Sequence, residues 1–365
     1  MAALSPSTIF RQLVRIGTQT VFRLPEKQQE HRMNISKMKR AWYPLVPSAK
    51  LKHKPLARKL LGQPLVLARL GGQAVCFDDC CPHRHVPLSA GKIVSGRLQC
   101  GYHGWQFDAA GSVCAVPGGM CACEAAVAVP AYPCREHGGW VWVCLAPDVP
   151  FAPYADFDAL PGFETVNAVK EMEGDFIHAI ENFLDPTHTP YIHRGLLRNA
   201  GRQGMIVSQS RRADGFATRY VLHERQNGLI SKLFDRGITV NDAAFTFPGL
   251  ARIDYLSPSR CEYRISVFFI PQDKGRVGLG VRVHFPESRL PLAVKALLLR
   301  PFVECLLRQD AAVIKRQYRH HSRYFARRPY CSTPNDLVID HLLHLLLENA
   351  PEGTEKAGDM VLHGG

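Results

Sequence analysis

Four residues restrict this chain more than any other feature. Cys81 and His83 sit in one short turn, and Cys100 and His103 sit in another, with sixteen residues between the two pairs. Their side chains can converge only if two turns approach closely, and Gly91, Gly96, Gly101 and Gly104 permit that approach. Two ligand sets satisfy the pattern. One is tetrahedral zinc. The other is a [2Fe–2S] cluster in which two cysteines hold one iron and two histidines the other. Zinc fingers usually keep Cys with Cys and His with His, the second pair on a helix. Here each pair mixes the two types, in a strand-rich stretch, which favours the cluster. Counting from Cys80 would put Pro82 in a ligand position, so Cys81 is the candidate and Cys80 its bystander. His85 is expected to be a surface or packing residue.

Composition narrows the setting. The 365 residues suffice for two domains, and 46% hydrophobic with 21% charged residues excludes a disordered, collagen-like or small disulfide-stapled chain. Nine of the twelve cysteines fall between Cys76 and Cys144. Residues 1–25 lack an apolar run with a small-residue cleavage site, so no secretory leader is expected, and metal ligation or buried thiols outweigh a disulfide framework. The most apolar stretch, Pro291 to Leu307, is broken by Lys295, Arg300, Pro301 and Glu304, so no transmembrane helix is expected. A net charge of +13 favours acidic partners, such as an anionic substrate or an acidic protein. Charge alone does not make the chain a nucleic-acid binder, and none is expected. Cytoplasmic location is expected, although Arg11, Arg15 and Arg23 with no acid before Glu26 are also compatible with organelle import.

Residues 1–37 read as a basic extension, 38–150 as an all-β metal-binding domain, 151–350 as a second domain and 351–365 as a mobile tail. In the first domain, Leu65 to Leu70, Ala74 to Phe77 and Trp140 to Leu145 read as strands. The second opens with a helix around Glu171 to Leu184, interrupted at Pro186. Strands follow at Thr218 to Leu222, Tyr263 to Ile270 and Gly278 to Phe285, then helices at Leu290 to Phe325 and Leu337 to Glu348. The order predicts an α+β architecture with an antiparallel sheet in the second domain.

A second constellation spans residues 181–193. Asn182, Asp185 and His188 are spaced three apart and would share a helical face. His193 lies five residues beyond His188, and a bend near Pro190 would let the two imidazoles converge. An isolated pair of this kind is usually two surface histidines. A third residue changes the reading. Asp310 falls inside an apolar stripe of Val303, Leu306, Leu307, Val313 and Ile314. A buried carboxylate is costly unless paired or bound to metal. A salt bridge to Arg308 or Arg316 is the plain alternative. Two histidines and one carboxylate are otherwise the facial triad of non-haem Fe(II) oxygenases.

The segment CPHRHVPLSAGKIVSGRLQCGYHGWQF, followed by N-x-x-D-x-x-H-x4-H and a late helical Asp, resembles the α subunit of Rieske non-haem iron oxygenases over roughly residues 38–325. The likeness is to the demethylase and monooxygenase branch, with vanillate O-demethylase, dicamba monooxygenase and pheophorbide a oxygenase. The resemblance implies a [2Fe–2S] cluster on Cys81, His83, Cys100 and His103, and mononuclear Fe(II) on His188, His193 and Asp310. It implies that Asp185 bridges the iron site to a cluster histidine of the neighbouring subunit in a homotrimer. Asn182 would be a polar residue beside the iron. It further implies O2 as co-substrate and electrons from NAD(P)H through a separate ferredoxin or flavin reductase. Hydroxylation or oxidative demethylation of a small organic substrate is the expected reaction. The competing expectation is a Rieske electron carrier with an inactive second domain. The substrate wall is expected between Thr218 and Phe285, with Phe234, Phe245 and Phe247 suggesting an apolar or aromatic and possibly anionic substrate.

Overall fold

The structure, a computed structural model, describes residues 13–16, 19–23, 33–118, 127–197, 205–222, 228, 237–288, 291–324, 331–333, 336–348 and 360–362. Strands Leu13–Ile16 and Gln19–Arg23 form a hairpin that pairs with Cys331–Ser332. The basic N-terminal stretch therefore includes strands. At Met33 the chain bridges Leu347, and Met38, on the short helix Ile35–Lys39, is fully buried.

Three small antiparallel sheets follow. Trp42–Pro47, Cys134–His137 and Trp140–Cys144 form one. Leu56–Leu60, Gln63–Leu70, Gln73–Asp78 and Ala131–Tyr132 form another. The third is formed by Lys92–Val94, Arg97–Gln99, Gln106–Phe107 and Val113–Ala115; the turn at Cys100 joins its second and third strands, and the turn at Cys81 leads into its first. Its core of Leu88, Leu98 and Phe107 includes Cys81 and Cys100.

The second half is built on an eight-stranded antiparallel sheet. Across it run Phe163–Glu173, Arg276–Pro286, Cys261–Asp273, Leu250–Leu256, Val240–Thr246, Gly215–Leu222, Met205–Arg212 and Met360–Leu362. The expected α+β architecture is present. The sheet is wider than the apolar alternation suggested, because Met205–Arg212, Val240–Thr246 and Leu250–Leu256 carry no clean pattern. Strand neighbours on both sides complete their hydrogen bonds, so pairing overrides weak local preference. The helix expected from Glu171 begins only at Phe176. Residues up to Glu173 pair in register with Arg276–Pro286, and Asp175 caps Phe176–Leu184 by accepting from the N–H groups of Ile177 and His178.

Side chains alternate across this sheet, so its two faces meet different partners. One face, with Phe216, Phe245, Ala251, Val267 and Val281, forms a core with Phe176, Ile180 and Leu184 of the first helix and Ile314 of the long helix Leu292–Tyr324. The other face meets the N-terminal sheets: Phe268 packs with Tyr43, Trp142 and Phe157. At Gly280 the sheet approaches the Trp140 ring, which lies 3.4 Å from where a Cβ would stand. Arg282 crosses the junction, donating to the carbonyls of Gly138 at 2.7 Å and Asp158 at 3.2 Å.

Candidate metal centres

The two turns are closed by their own backbones. Cys81 N–H donates to Val86 O at 2.9 Å and His85 N–H to Cys81 O at 2.8 Å. Cys100 N–H donates to Trp105 O at 2.8 Å and Gly104 N–H to Cys100 O at 3.2 Å. The turns touch where only glycine fits, since a Cβ on Gly91 would lie 2.1 Å from Gln99 O. The four candidate residues meet at one tip, and they are sorted by polarity. Cys81 and Cys100 are buried side by side; burial first, and then the neighbouring Cys100, push the Cys81 thiol up to about 11. The imidazoles lie outward, with ring centroids 4.6 Å apart, and His83 stacks on Trp105 at 4.8 Å. His83 Nδ1 is buried without a hydrogen-bond partner among the described residues, a donor atom left open. Two thiols on the inner side and two imidazoles on the outer side suit a two-iron unit ligated differently at each end. Cys80 is half-buried and His85 exposed.

The second constellation also converges, by a route the helical spacing did not anticipate. The helix stops at Leu184. Asp185 is extended (φ −89°, ψ 114°), as the residue before a proline is biased to be. Asn182 therefore lies on the helix while Asp185 and His188 lie beyond it, so the three do not share a helical face. His188 and His193 cap the two ends of the four-residue helix Thr189–Ile192, with Pro190 in its first turn. Their Nε2 atoms come within 3.3 Å. Asp310 Oδ1, on the long helix, lies 3.0 Å from His193 Nε2 and 3.6 Å from His188 Nε2. The ligand atoms of these three residues all lie within 4.8 Å of one another.

The hydrogen bonds behind the imidazoles decide what this trio can do. His188 Nδ1 is 2.6 Å from the backbone carbonyl of Asp185, and His193 Nδ1 is 2.9 Å from Gln309 Oε1. Each Nδ1 must donate, so each neutral ring turns an Nε2 lone pair inward. Two lone pairs and a carboxylate oxygen face one point, which is repulsive without a cation. Bonds of about 2.1 Å meeting at about 90–110° would span roughly 3.0–3.4 Å, close to the observed separations. Burial lowers the His188 imidazole more than Asp310 and Asp185 raise it. At His193 burial is outweighed by Asp310 and Gln309, and the imidazole is raised.

Several expectations change here. The Asp185 group beside His188 is its carbonyl; its carboxylate accepts from Thr187 N–H and Thr187 Oγ1, both at 2.8 Å. Gln309 was not singled out, although its position next to Asp310 was the available signal. The apolar stripe around Asp310 is buried at Ile314, whereas Val303 is 42% exposed. Arg308 donates to Glu304 O instead of pairing with Asp310. Phe245 is fully in the core, stacked on Phe216, and Phe247 lies under Lys37 Nζ at 4.3 Å. Phe245, 1% exposed, is thus core rather than an open wall, and Phe234 lies outside the described residues.

Residues 41–133 match the Rieske [2Fe-2S] domain, and residues 172–344 match the vanillate O-demethylase oxygenase C-terminal domain. A cluster tip joined to a His/His/Asp cluster, with these matches in this order, makes the chain a member of the Rieske non-haem iron oxygenase family. Within it, the second half is of the vanillate O-demethylase type. The chain is 34% identical to the dicamba O-demethylase oxygenase component of Stenotrophomonas maltophilia, over 43% of this chain and 48% of that protein. It is 36% identical to methylxanthine N1-demethylase NdmA of Pseudomonas putida, over 39% and 42%. It is 35% identical to protein TIC 55 of Pisum sativum, over 42% and 29%. These alignments span less than half the length of each relative. The fold superposes on dicamba monooxygenase with a TM-score of 0.71 at 21% identity, covering 84% of this chain and 98% of that one. No helix among the described residues is long and apolar enough to cross a membrane.

Proposed function

We propose that this chain is the oxygenase component of a multi-component system that hydroxylates or oxidatively demethylates a small, largely apolar substrate. The observation that carries the reading is the trio of His188, His193 and Asp310, with two inward lone pairs and one carboxylate, in the same chain as a Cys2His2 tip. An electron carrier has no need of that trio. In this reading Cys81 and Cys100 hold one iron of the cluster and His83 and His103 the other. His188, His193 and Asp310 hold Fe(II). The cluster supplies single electrons, taken from NAD(P)H through a separate ferredoxin or flavin reductase, and the Fe(II) site supplies O2 activation.

The protein's own residues do the positioning. The Asp185 carbonyl and Gln309 hold the Nδ1 protons of His188 and His193, which orients both rings. Thr187 engages both oxygens of the Asp185 carboxylate, and each oxygen keeps a lone pair. A histidine of a neighbouring subunit's cluster could donate there, and the exposed His103 suits that contact in a homotrimer. Asn182, half-buried on the preceding helix turn, is assigned as a polar neighbour of the site. Cytoplasmic and organellar locations are both compatible with the reading. The excess of basic residues would attract an acidic electron donor.

Metal analysis tests the reading. The loaded protein should contain about three irons per chain, against about two for a carrier. Asp310→Ala should keep the Rieske spectrum, lose one iron and stop substrate-dependent O2 uptake. A fully reconstituted wild type with two irons and no O2 uptake would refute the enzyme.

A further inference from the structure

We propose that Asn241 is the substrate-recognising residue of the iron site and selects neutral substrates that present an O–H or N–H donor; the proposal rests on the oxygenase reading. Tyr220, Asn241, Tyr255 and Tyr263 are successive cross-strand partners on four adjacent strands, so their side chains form one row on one face. That face is the one packed against the first helix, as Phe216 and Phe245 farther along the same strands show. One end of the row reaches the segment that leads to the iron ligands. Tyr220 Oη donates to Leu184 O at 3.2 Å, and the next residue, Asp185, holds His188. The adjoining row of Ile253, Ile265 and Val283 is only half-buried, an apolar floor beside the polar one.

Within this setting Asn241 is 6% exposed, and its Oδ1 is buried without a hydrogen-bond partner among the described residues. A buried amide oxygen left unpaired is costly, and a bound donor would remove the cost. The amide also stands away from positive charge. Arg219, Arg252 and Arg264, on the same four strands, project from the opposite face, where Asp242, Asp156 and Asp254 pair with them. The net positive charge of the chain is therefore not expressed here, and a substrate carboxylate would meet no counter-ion on these strands. Tyr255 and Tyr263, stacked with centroids 4.3 Å apart, add an aromatic surface beside the amide. The geometry thus favours a neutral phenol, alcohol or amide N–H over the anionic substrate that overall charge suggested.

Calorimetric titration of the anaerobic, iron-loaded protein with p-methoxyphenol, p-dimethoxybenzene and p-methoxybenzoate tests this. The phenol should bind at least about tenfold more tightly than either analogue. Asn241→Leu should flatten that preference to about twofold or less, with iron content kept and the thermal midpoint unchanged or raised. Asn241→Asp, which still offers an acceptor, should retain it. Four results would overturn the proposal: the preference surviving Asn241→Leu, tighter binding of the benzoate, no binding of any probe, or a lowered thermal midpoint in Asn241→Leu, which marks a structural amide. Failure of the oxygenase reading looks different, as a missing third iron or absent O2 uptake while the binding preference persists.

Discussion

Gly174 lets the two halves of the His/His/Asp site approach closely, and Gly174→Ala should separate them. A Cβ at this position would lie 2.2 Å from Ile314 Cγ2 and 3.5 Å from Ile314 Cβ. Carbon atoms pack at about 3.5–4.0 Å, so Ile314 must retreat by roughly 1.3 Å or more. It is only 2% exposed, and its branched side chain has little rotamer freedom in a helix. The long helix must move instead. Ile314 stands one turn beyond Asp310, while Gly174 directly precedes the helix that leads to Asp185 and His188. A shift of about 1 Å is a third of the 3.0 Å separation between Asp310 and His193. The expected cost is about 1–3 kcal/mol in stability and at least about a tenfold loss of mononuclear iron affinity. Chelator-challenged metal analysis should show that loss while the Rieske absorption spectrum stays intact. Adding Ile314→Ala removes the offending Cγ2 and should restore iron. Wild-type iron retention and thermal midpoint in Gly174→Ala would show that the two helices are not in this register.

Three further perturbations probe the same region. Gln309→Leu leaves the His193 Nδ1–H buried and unpaired; mononuclear iron affinity should fall about 10–100-fold, read by metal titration, while Gln309→Glu keeps an acceptor and most of the iron. Burial, with Asp185, Asp336 and Asp175 nearby, raises the Glu181 carboxyl from 4.5 to about 7 against the opposing pull of His178. The folded state thus holds the proton more tightly than the unfolded state, so this contribution is full below about pH 4.5 and is lost as pH rises to about 7. Glu181→Gln should remove that slope and gain up to about 3 kcal/mol at pH 8 in denaturant titrations; an unchanged slope counts against it. Asp185→Asn should keep both metals and the contact with Thr187 N–H, yet lose most product formation; full turnover would remove the bridging role.

The candidate metal donors are legible in the sequence because they are local. Cys81 with His83, Cys100 with His103, and His188 with His193 each sit within a few residues, so spacing alone carries the information. Asp310 was reachable through helical periodicity, although Val303 in the same stripe turned out to be exposed. What spacing could not decide was which atom faces which. The assignment of the Asp185 carbonyl to His188, and of its carboxylate to Thr187, follows from an extended backbone at a proline, not from a helical face. Gln309 matters only because its helix arrives beside His193, 116 residues away in sequence. Strands such as Val240–Thr246 exist because neighbours on both sides complete their hydrogen bonds. Pairing also turns Asn241 toward the helices and Arg219, Arg252 and Arg264 toward the opposite face. Charge counted along a chain cannot reveal that separation, because the face a strand residue occupies is set by the register of its partners.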